Sequence, residues 1–377
     1  VMRYKLKTFG ELGGVHFRQA MDDPASTDIV FLDNDGLDFS SSMGKNVERI
    51  FYKENFRRAH HREPGGITEL PQVIDYYREG FTRAIDQSAL KKGNFKVVID
   101  FNHSPAGQIL PAILNDMGCE VISLNAYIDQ ERGVKKAGEK PRSLQQLSKI
   151  VASLEAQAGF WLDPTAEAMI IVDGMGRIYD EAETLILMVA LMLKAGHNGV
   201  FVAPVSAPSA IELLAHEKRC TVRRTKNSER AMIEAALSSE VVMAGSMDGR
   251  FAFPHFQAAF DGMFAIAKII ELLAACDAPL SGILGETPHR VFLQTRVPCA
   301  LEMKGGIMRK MSEDSLDKEA SFIDGIKVHF GEDWMLVLPD QYQPNVQIVA
   351  EAKELKVAQR LLDECRKKVE KWKKELA

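Results

Sequence analysis

No stretch of this 377-residue chain reaches the roughly 20 consecutive apolar residues that a membrane-spanning helix needs. The longest candidate, "GMFAIAKIIELLAA" (262–275), carries Lys268 and Glu271 and reads as a buried helix. No cysteine pair is spaced for a metal site or a disulfide frame. The five cysteines, at positions 119, 220, 276, 299 and 365, are scattered and odd in number. Reduced thiols and a cytoplasmic location are the expectation, with Cys119 and Cys220 packing as small hydrophobes. No excess of basic charge is present either: 47 Lys and Arg stand against 52 Asp and Glu, a formal charge of −5. A nucleic-acid partner is therefore not expected. There is no Gly-rich nucleotide loop, low-complexity linker or internal repeat. No secretory signal is visible. The opening "VMRYKLKTFGELGG" has no evident helix or strand start, and the chain reads as cut from something longer.

What is present is an alternation of strand and helix patterns. The β-branched run "KVVIDF" (96–101) predicts a buried parallel strand. Ser104 as a cap, Pro105 in the first turn and Gly118 as a terminator predict the helix that follows, and "CEVISLN" predicts the next strand. This is a βαβ unit, which implies a right-handed crossover and a parallel sheet. The rhythm continues through "GFWL", "AMIIVD", a strong helix ending at Gly196, "NGVFVAPV", "CTVRRT" and "EVVMAG". A break falls at the "DGMGRIYD" turn, punctuated by Gly174 and Gly176. Ahead of this, "GGVHFRQ" and "TDIVFLD" look like strands, followed by two helical stretches. At the far end come three strands, "FIDGIKVHFG", "DWMLVLPD" and "NVQIVAEA". A closing helix follows, with Leu355, Leu362, Val369 and Leu376 repeating every seven residues. That stripe is expected to pack on the strands.

Few residues could carry chemistry. In "FWLDPTAEAMIIVD", Asp163 and Glu167 stand four apart between two strands. They could supply oxygen ligands to magnesium or could be an ordinary turn. In "GSMDGR" (245–250), Asp248 could accept sugar hydroxyls and Arg250 could pair with phosphate. Alternatively, it is a plain hairpin turn. "RRTKNSER" (223–230) offers Lys226 to a phosphate and Ser228 as a helix cap. "GGVHFRQAMDDP" offers His16 and Arg18 but no Ser, Thr or Cys nucleophile. "LPDQYQPN" (338–345) is a loop whose Asp340 would repel phosphate.

Read in register, these loops resemble those of the α-D-phosphohexomutases, the phosphoglucomutase/phosphomannomutase family, over nearly the whole chain. The family's nucleophile loop, Thr-Ala-Ser-His-Asn-Pro, aligns with "GGVHFRQAMDDP" and places Ala20 at the phosphoserine, between Gln19 and Met21. The metal loop, Asp-Gly-Asp-Ala-Asp-Arg, aligns with "DPTAEA". Asp163 is kept, Thr165 and Glu167 take the other acid positions, and Ala168 replaces the arginine. The sugar loop, Gly-Glu-Met-Ser-Gly-His, aligns with "GSMDGR". The phosphate loop, Arg-Pro-Ser-Gly-Thr-Glu-Pro, aligns with Leu338 to Pro344, so Leu338 and Asp340 replace a cation and a hydroxyl.

The resemblance implies an α/β protein of consecutive mixed α/β domains with a C-terminal α+β domain. The expected divisions are a partial first domain at 1–94, a second at 95–178, a third at 179–289 and a fourth at 290–377. It also implies a retained scaffold without mutase activity, since an alanine cannot carry a phosphoryl group. The metal pair Asp163 and Glu167 reads as vestigial, with no cofactor expected. Arg18, Lys226, Asp248 and Arg250 remain as ligand-binding candidates for a hexose phosphate or nucleotide sugar. The segments "ERIFYKENFRRA", "LNAYIDQE" and "VPCALEMKGGIMR" resemble the module fused behind the nucleotidyltransferase domain in bacterial mannose-1-phosphate guanylyltransferases. A nucleotidyltransferase, fused or separate, is thus the expected partner, and a homo-oligomer is allowed. Two alternatives stand beside this: an active phosphotransferase with Asp22 or Asp23 as relocated acceptor, and a purely structural dimerisation module.

Overall fold

A computed structural model describes residues 1–19, 26–58, 60, 66, 68–70, 72–129, 142–340 and 343–376. The chain divides into two compact units, one of residues 1–178 with 250–277 and one of 179–249 with 278–377. The first begins with α1 (Met2–Phe9), β1 (Gly14–Gln19), β2 (Thr27–Leu32), α2 (Ser41–Tyr52), α3 (Val73–Arg83) and α4 (Gln87–Gly93). It continues with β3 (Lys96–Asp100), a 3-10 turn (Pro105–Gln108), α5 (Leu110–Asp116), β4 (Glu120–Leu124), α6 (Arg142–Ser153), β5 (Ala158–Leu162) and β6 (Met169–Asp173). The second unit opens with α7 (Glu181–Lys194), β7 (Val200–Pro204), α8 (Ala210–Glu217), β8 (Thr221–Thr225), α9 (Glu229–Ala236) and β9 (Val241–Gly245). The chain returns to the first unit for β10 (Phe251–Ala252) and α10 (Gly262–Cys276). The second unit is completed by α11 (Leu280–Gly285), β11 (Val291–Pro298), α12 (Leu301–Asp314), β12 (Ala320–Ser321), β13 (Ile326–Phe330), β14 (Asp333–Pro339), β15 (Asn345–Ala352) and α13 (Leu355–Leu376). The mixed α/β class read from the sequence is the class observed.

In the first unit, the main sheet has the order β4-β3-β5-β6, parallel except for β5–β6. Val97, Val98 and Ile99 are wholly buried, as a strand covered on both faces requires. Each such side chain contributes roughly 1.5–3 kcal/mol of burial. Val98 and Val172 pack under Leu144, Leu147 and Val151 of α6. Asp100 lies opposite Trp161 in the β3–β5 register. The segments that follow these two strands therefore leave the same sheet edge side by side. That carboxyl-end edge is where open α/β sheets bind ligands. The predicted helix after β3 is split. Ser104 caps the 3-10 turn at the amide of Ala106, and α5 starts only at Leu110, ahead of Pro111.

Aromatic packing joins α3 to α10. Phe256 stacks on Phe264 at 4.3 Å, and Tyr77 and Phe81 meet Phe256 edge-on. The buried Tyr77 hydroxyl donates to Asp261 at 2.7 Å, and Asp261 in turn accepts the Phe264 amide that opens α10. Lys268 is buried in α10 and pairs with Glu271 at 2.7 Å. The opening residues, where no element was expected, form α1. That helix has no side-chain cap at its start and ends at a left-handed Gly10, whose amide donates to the Leu6 carbonyl. A Cβ at Gly14 would stand 2.5 Å from the Met2 methyl and 3.0 Å from a Leu6 methyl, so the Met2 side chain would have to move aside.

In the second unit, β7 runs parallel to β8 and β9, and a five-stranded antiparallel sheet has the order β11-β15-β14-β13-β12. Along β14 the side chains alternate between two cores. Trp334, Leu336 and Leu338 pack with Val205 and Val349, and Val337 packs with Ile307, Leu361 and Cys365. The stripe of α13 follows the helical period rather than the heptad. Ala358, Leu361, Leu362, Cys365 and Val369 are buried, whereas Leu355 is 60% and Leu376 39% exposed. A buried charge ties β15 to α8: Glu351 accepts the Ser209 amide at 2.8 Å and pairs with Arg290 at 2.7 Å. All five cysteines are free thiols. Burial pushes the Cys119 thiol up to about 11 and Cys365 up to about 12. Among the described residues no helix is long and apolar enough to cross a membrane.

Candidate functional site

β5 ends at Leu162, and the chain turns through 163–168 into β6. The turn is built on Asp163, only 4% exposed. Its Oδ1 accepts the amides of Glu167 and Ala168, both at 2.8 Å. Its Oδ2 accepts the Thr165 amide at 3.3 Å and the Thr165 hydroxyl. The backbone closes as well, with the Asp163 amide donating to the Ala168 carbonyl at 3.0 Å and the Ala166 amide to the Asp163 carbonyl at 2.9 Å. Ala166 accordingly sits at φ 59°, in the left-handed region. The turn also rests on the start of α10. The Gly262 amide donates to the Ala166 carbonyl at 2.8 Å, and a side chain at 262 would strike that carbonyl.

Glu167 points into a field of arginines. Its Oε1 lies 4.0 Å from Arg3 Nε. Burial raises its carboxyl above the ordinary range, while Arg3, Arg250 and Arg18 pull it back down and Asp163 adds to the rise. Each arginine is positioned from a different element. Arg3, on α1, also donates to the Gly36 carbonyl and to Asp38, both at 2.8 Å. Arg18, on β1, faces Asp28 across the hairpin at 3.4 Å. Arg250 bridges Ala168 in an antiparallel backbone pair. Burial, with Arg18 and Arg3 nearby, holds His16 below the ordinary histidine value.

The predicted residues thus divide. Asp163, Glu167, Arg18 and Arg250 lie together in the first unit. Ala20, Asp22 and Asp23 lie outside the described residues. Lys226 and Asp248 belong to the second unit. Lys226 is exposed, beside Asn227, whose amide donates to Asp324 at 2.9 Å. Asp248 accepts the Ser246 hydroxyl. The 338–345 loop is folded on itself. Asp340 Oδ1 accepts the Gln343 amide at 2.8 Å, and the nearly buried Lys304 donates to the carbonyls of Asp340 and Gln343, both at 2.6 Å. Leu338 is a core residue, 6% exposed. Sequence reasoning missed Arg3, Lys304 and the Thr165 hydroxyl. Arg3 carries no local signal because it is joined to the site only through contacts distant in the sequence, to Gly36, Asp38 and Glu167.

Among the described residues, no three His, Cys, Asp or Glu side chains group as metal ligands. Asp163 spends both oxygens on donors from its own turn, the Thr165 hydroxyl donates to that same carboxylate, and Glu167 stands among guanidinium groups. This donor set does not fit a magnesium ion, which requires oxygen lone pairs pointing inward.

Comparison with known proteins places these observations. The sequence pattern "Phosphoglucomutase/phosphomannomutase, alpha/beta/alpha domain II" matches residues 75–176, and the corresponding domain III pattern matches 180–291. A phosphoglucomutase/phosphomannomutase of Thermococcus kodakarensis is 26% identical over 357 residues, 94% of this chain and 78% of that protein. A phosphoglucosamine/phosphogalactosamine mutase of Sulfurisphaera tokodaii is 26% identical over 98% of this chain and 82% of that protein. A crystal structure of a phosphoglucomutase/phosphomannomutase family protein from Burkholderia thailandensis superposes with a TM-score of 0.81. It is 20% identical and covers 96% of this chain and 76% of that one. With two successive domain patterns matched over more than half its length, the chain belongs to the phosphoglucomutase/phosphomannomutase family.

Proposed function

We propose that this chain binds a hexose phosphate or nucleotide sugar on the phosphohexomutase scaffold without running a serine-relayed mutase reaction, and that it serves a nucleotidyltransferase as a regulatory or assembly module. The four-domain division at 94, 178 and 289 belongs to the same reading. The observation that carries it is the Asp163 carboxylate, whose oxygens are taken by four donors of its own turn. An aspartate used in this way is a structural group. Ala20 at the phosphoserine position points the same way, because phosphoryl transfer needs an acceptor oxygen that alanine lacks. Incubation with mannose 1-phosphate, magnesium and a hexose bisphosphate primer tests the reading. The expected result is saturable binding with no 6-phosphate formed. Robust turnover to the 6-phosphate rejects it.

The mutase names of relatives that align over nearly the whole chain favour a second reading, an active phosphotransferase with Asp22 or Asp23 as phosphate acceptor. Intact-mass spectrometry after treatment with a sugar bisphosphate distinguishes the two. A stable phosphoryl adduct on either aspartate supports the second reading, and an unmodified chain supports the first.

A further inference from the structure

We propose that Lys327 is a proton-operated latch within the second unit: as a neutral amine it ties β13 to the segment that joins β7 to α8, and on taking up a proton it loosens that tie.

Lys327 lies on β13 and is only 7% exposed. Its register neighbours are Ser321 on β12 and Leu336 on β14. Its Nζ stands 3.6 Å from the centre of the Trp334 ring and donates to the Val205 carbonyl at 3.3 Å. Val205 follows β7 directly, and its side chain packs in the same core as Trp334 and Leu336. Arg224 of β8 holds that segment from the other side. It donates to the carbonyls of Pro204 at 2.7 Å, Ala207 at 3.0 Å and Pro208 at 3.1 Å. Two cations therefore share one run of carbonyls, and the nearby acids are taken. Glu212 of α8 accepts two nitrogens of Arg224, both at 2.6 Å. Glu351 of β15 pairs with Arg290 and accepts the Ser209 amide. Lys327 is left with a ring face and a carbonyl, which answer a buried charge less fully than a carboxylate does. A neutral amine still has hydrogens to donate to Val205, so losing the proton keeps the tie and removes the buried charge.

The charges around Lys327 give the latch its direction. Burial and Arg224 weaken its hold on the proton, Glu212 and Glu351 strengthen it, and the balance stands at about 8 against the ordinary 10.5. On the same strand, burial and Lys327 hold His329 below the ordinary histidine value of 6.5, with Glu319 opposing, so His329 is uncharged while Lys327 titrates. With the folded value below the unfolded one, stability from this group rises as pH climbs from about 8 to about 10.5, where the open chain keeps a proton that the closed one has released. Below 8 the closed joint carries the charge as well, and swinging Nζ out to water relieves it at the expense of the Val205 contact.

Two measurements on the full chain test this. The Cε resonance of Lys327, recognised by the upfield shift that the Trp334 ring imposes, should titrate with a midpoint near 8. A midpoint near 10.5 overturns the latch. Amide hydrogen exchange over residues 204–209, corrected for its intrinsic pH dependence, should be about ten-fold better protected at pH 9 than at pH 7. Lys327→Met should be equally protected at both. Lys327→Arg, which stays charged, should also lose the pH dependence, at the weakly protected level. Lys194→Met, which removes an exposed pair with Glu286 in the same unit, should behave as wild type. Where neither Lys327 variant folds, the wild-type midpoint and exchange still decide. Wild-type protection that is the same at both pH values, or a pH dependence that persists in folded Lys327→Met, overturns the proposal.

Discussion

The two ends of β6 carry the same turn. Before the strand, Asp163 accepts amides at positions 165, 167 and 168. After it, Asp173 accepts the amides of Met175 and Arg177, both at 2.9 Å. In both turns the backbone closes back on the aspartate, at the Ala166 and Gly176 amides respectively. A third copy is centred on Asp33, which accepts the amides of Asp35 and Leu37 and receives the Gly36 amide on its carbonyl. The residue three past the aspartate is left-handed in every case: Gly36 at 76°, Gly176 at 83° and Ala166 at 59°. The aspartate itself is therefore not what sets the 163–168 loop apart. Its neighbours are. Gly176 abuts the Ser148 carbonyl, whereas the Asp163 turn faces Arg3 at 4.0 Å through Glu167 and pairs with Arg250 at Ala168. A feature that looks catalytic in sequence can be a common structural device, and its surroundings decide whether it also meets a ligand.

Three experiments press on this comparison. The largest effect is expected from Asp163→Ala, which strands three amides and a hydroxyl in a nearly closed site. A loss of about 3 kcal/mol in urea unfolding is predicted, against about 2 kcal/mol for Asp173→Ala. A metal-holding aspartate would behave in the opposite sense, since removing it relieves repulsion between acids; a gain in stability would therefore break the likeness between the two turns. A smaller effect is expected from Ala166→Gly. Relieving a left-handed alanine should raise stability by about 1 kcal/mol, read as a higher denaturation midpoint. Gly176→Ala should do the reverse, and more strongly, because its new methyl would also meet the Ser148 carbonyl at 2.8 Å. The smallest effect concerns pH. Glu167 is raised above its ordinary value of 4.5 when folded, so above that pH the folded chain holds a proton more tightly than the unfolded one. Stability contributed by this group should fall as pH rises from 4.5 through the folded value. Glu167→Gln should lack that slope, and an unchanged profile would mean that the arginines fully offset the burial of this carboxyl.

Much of the scaffold was legible because its signals are local. β3 announces itself through a β-branched run, Ser104 and Ser228 cap where their spacing says they should, and α10 is buried as its composition demands. The losses have a common cause. α1 has no side-chain cap at its start, and its Met2 and Leu6 lie against Gly14. β11 is mostly half-exposed and gains its partner only from β15. α12 carries two adjacent glycines, and the second, Gly306, makes room for Leu376 of α13. The heptad read in α13 failed at both ends: Leu355 is exposed, and Leu376 lies against Gly306 of α12, half-exposed. At the site, the acids, Arg18 and Arg250 were visible and Arg3 was not. Arg3 lies 164 positions from Glu167, and no periodicity links them. The hydroxyl of Thr165, which takes an acid position of the family's loop, is one of the groups that hold the turn.

Glu351 has a mechanical consequence. It lies on β15, yet it grips the start of α8 through Ser209, a residue 142 positions earlier in the chain, while Arg290 anchors it from beside β11 and also reaches Asp333 at 2.8 Å. Twisting the helix-bearing half of the second unit against its antiparallel sheet would leave a carboxylate buried and unanswered, at a cost of several kcal/mol. The two halves of that unit are thereby geared together, and a torque applied to either is transmitted to the other without slip.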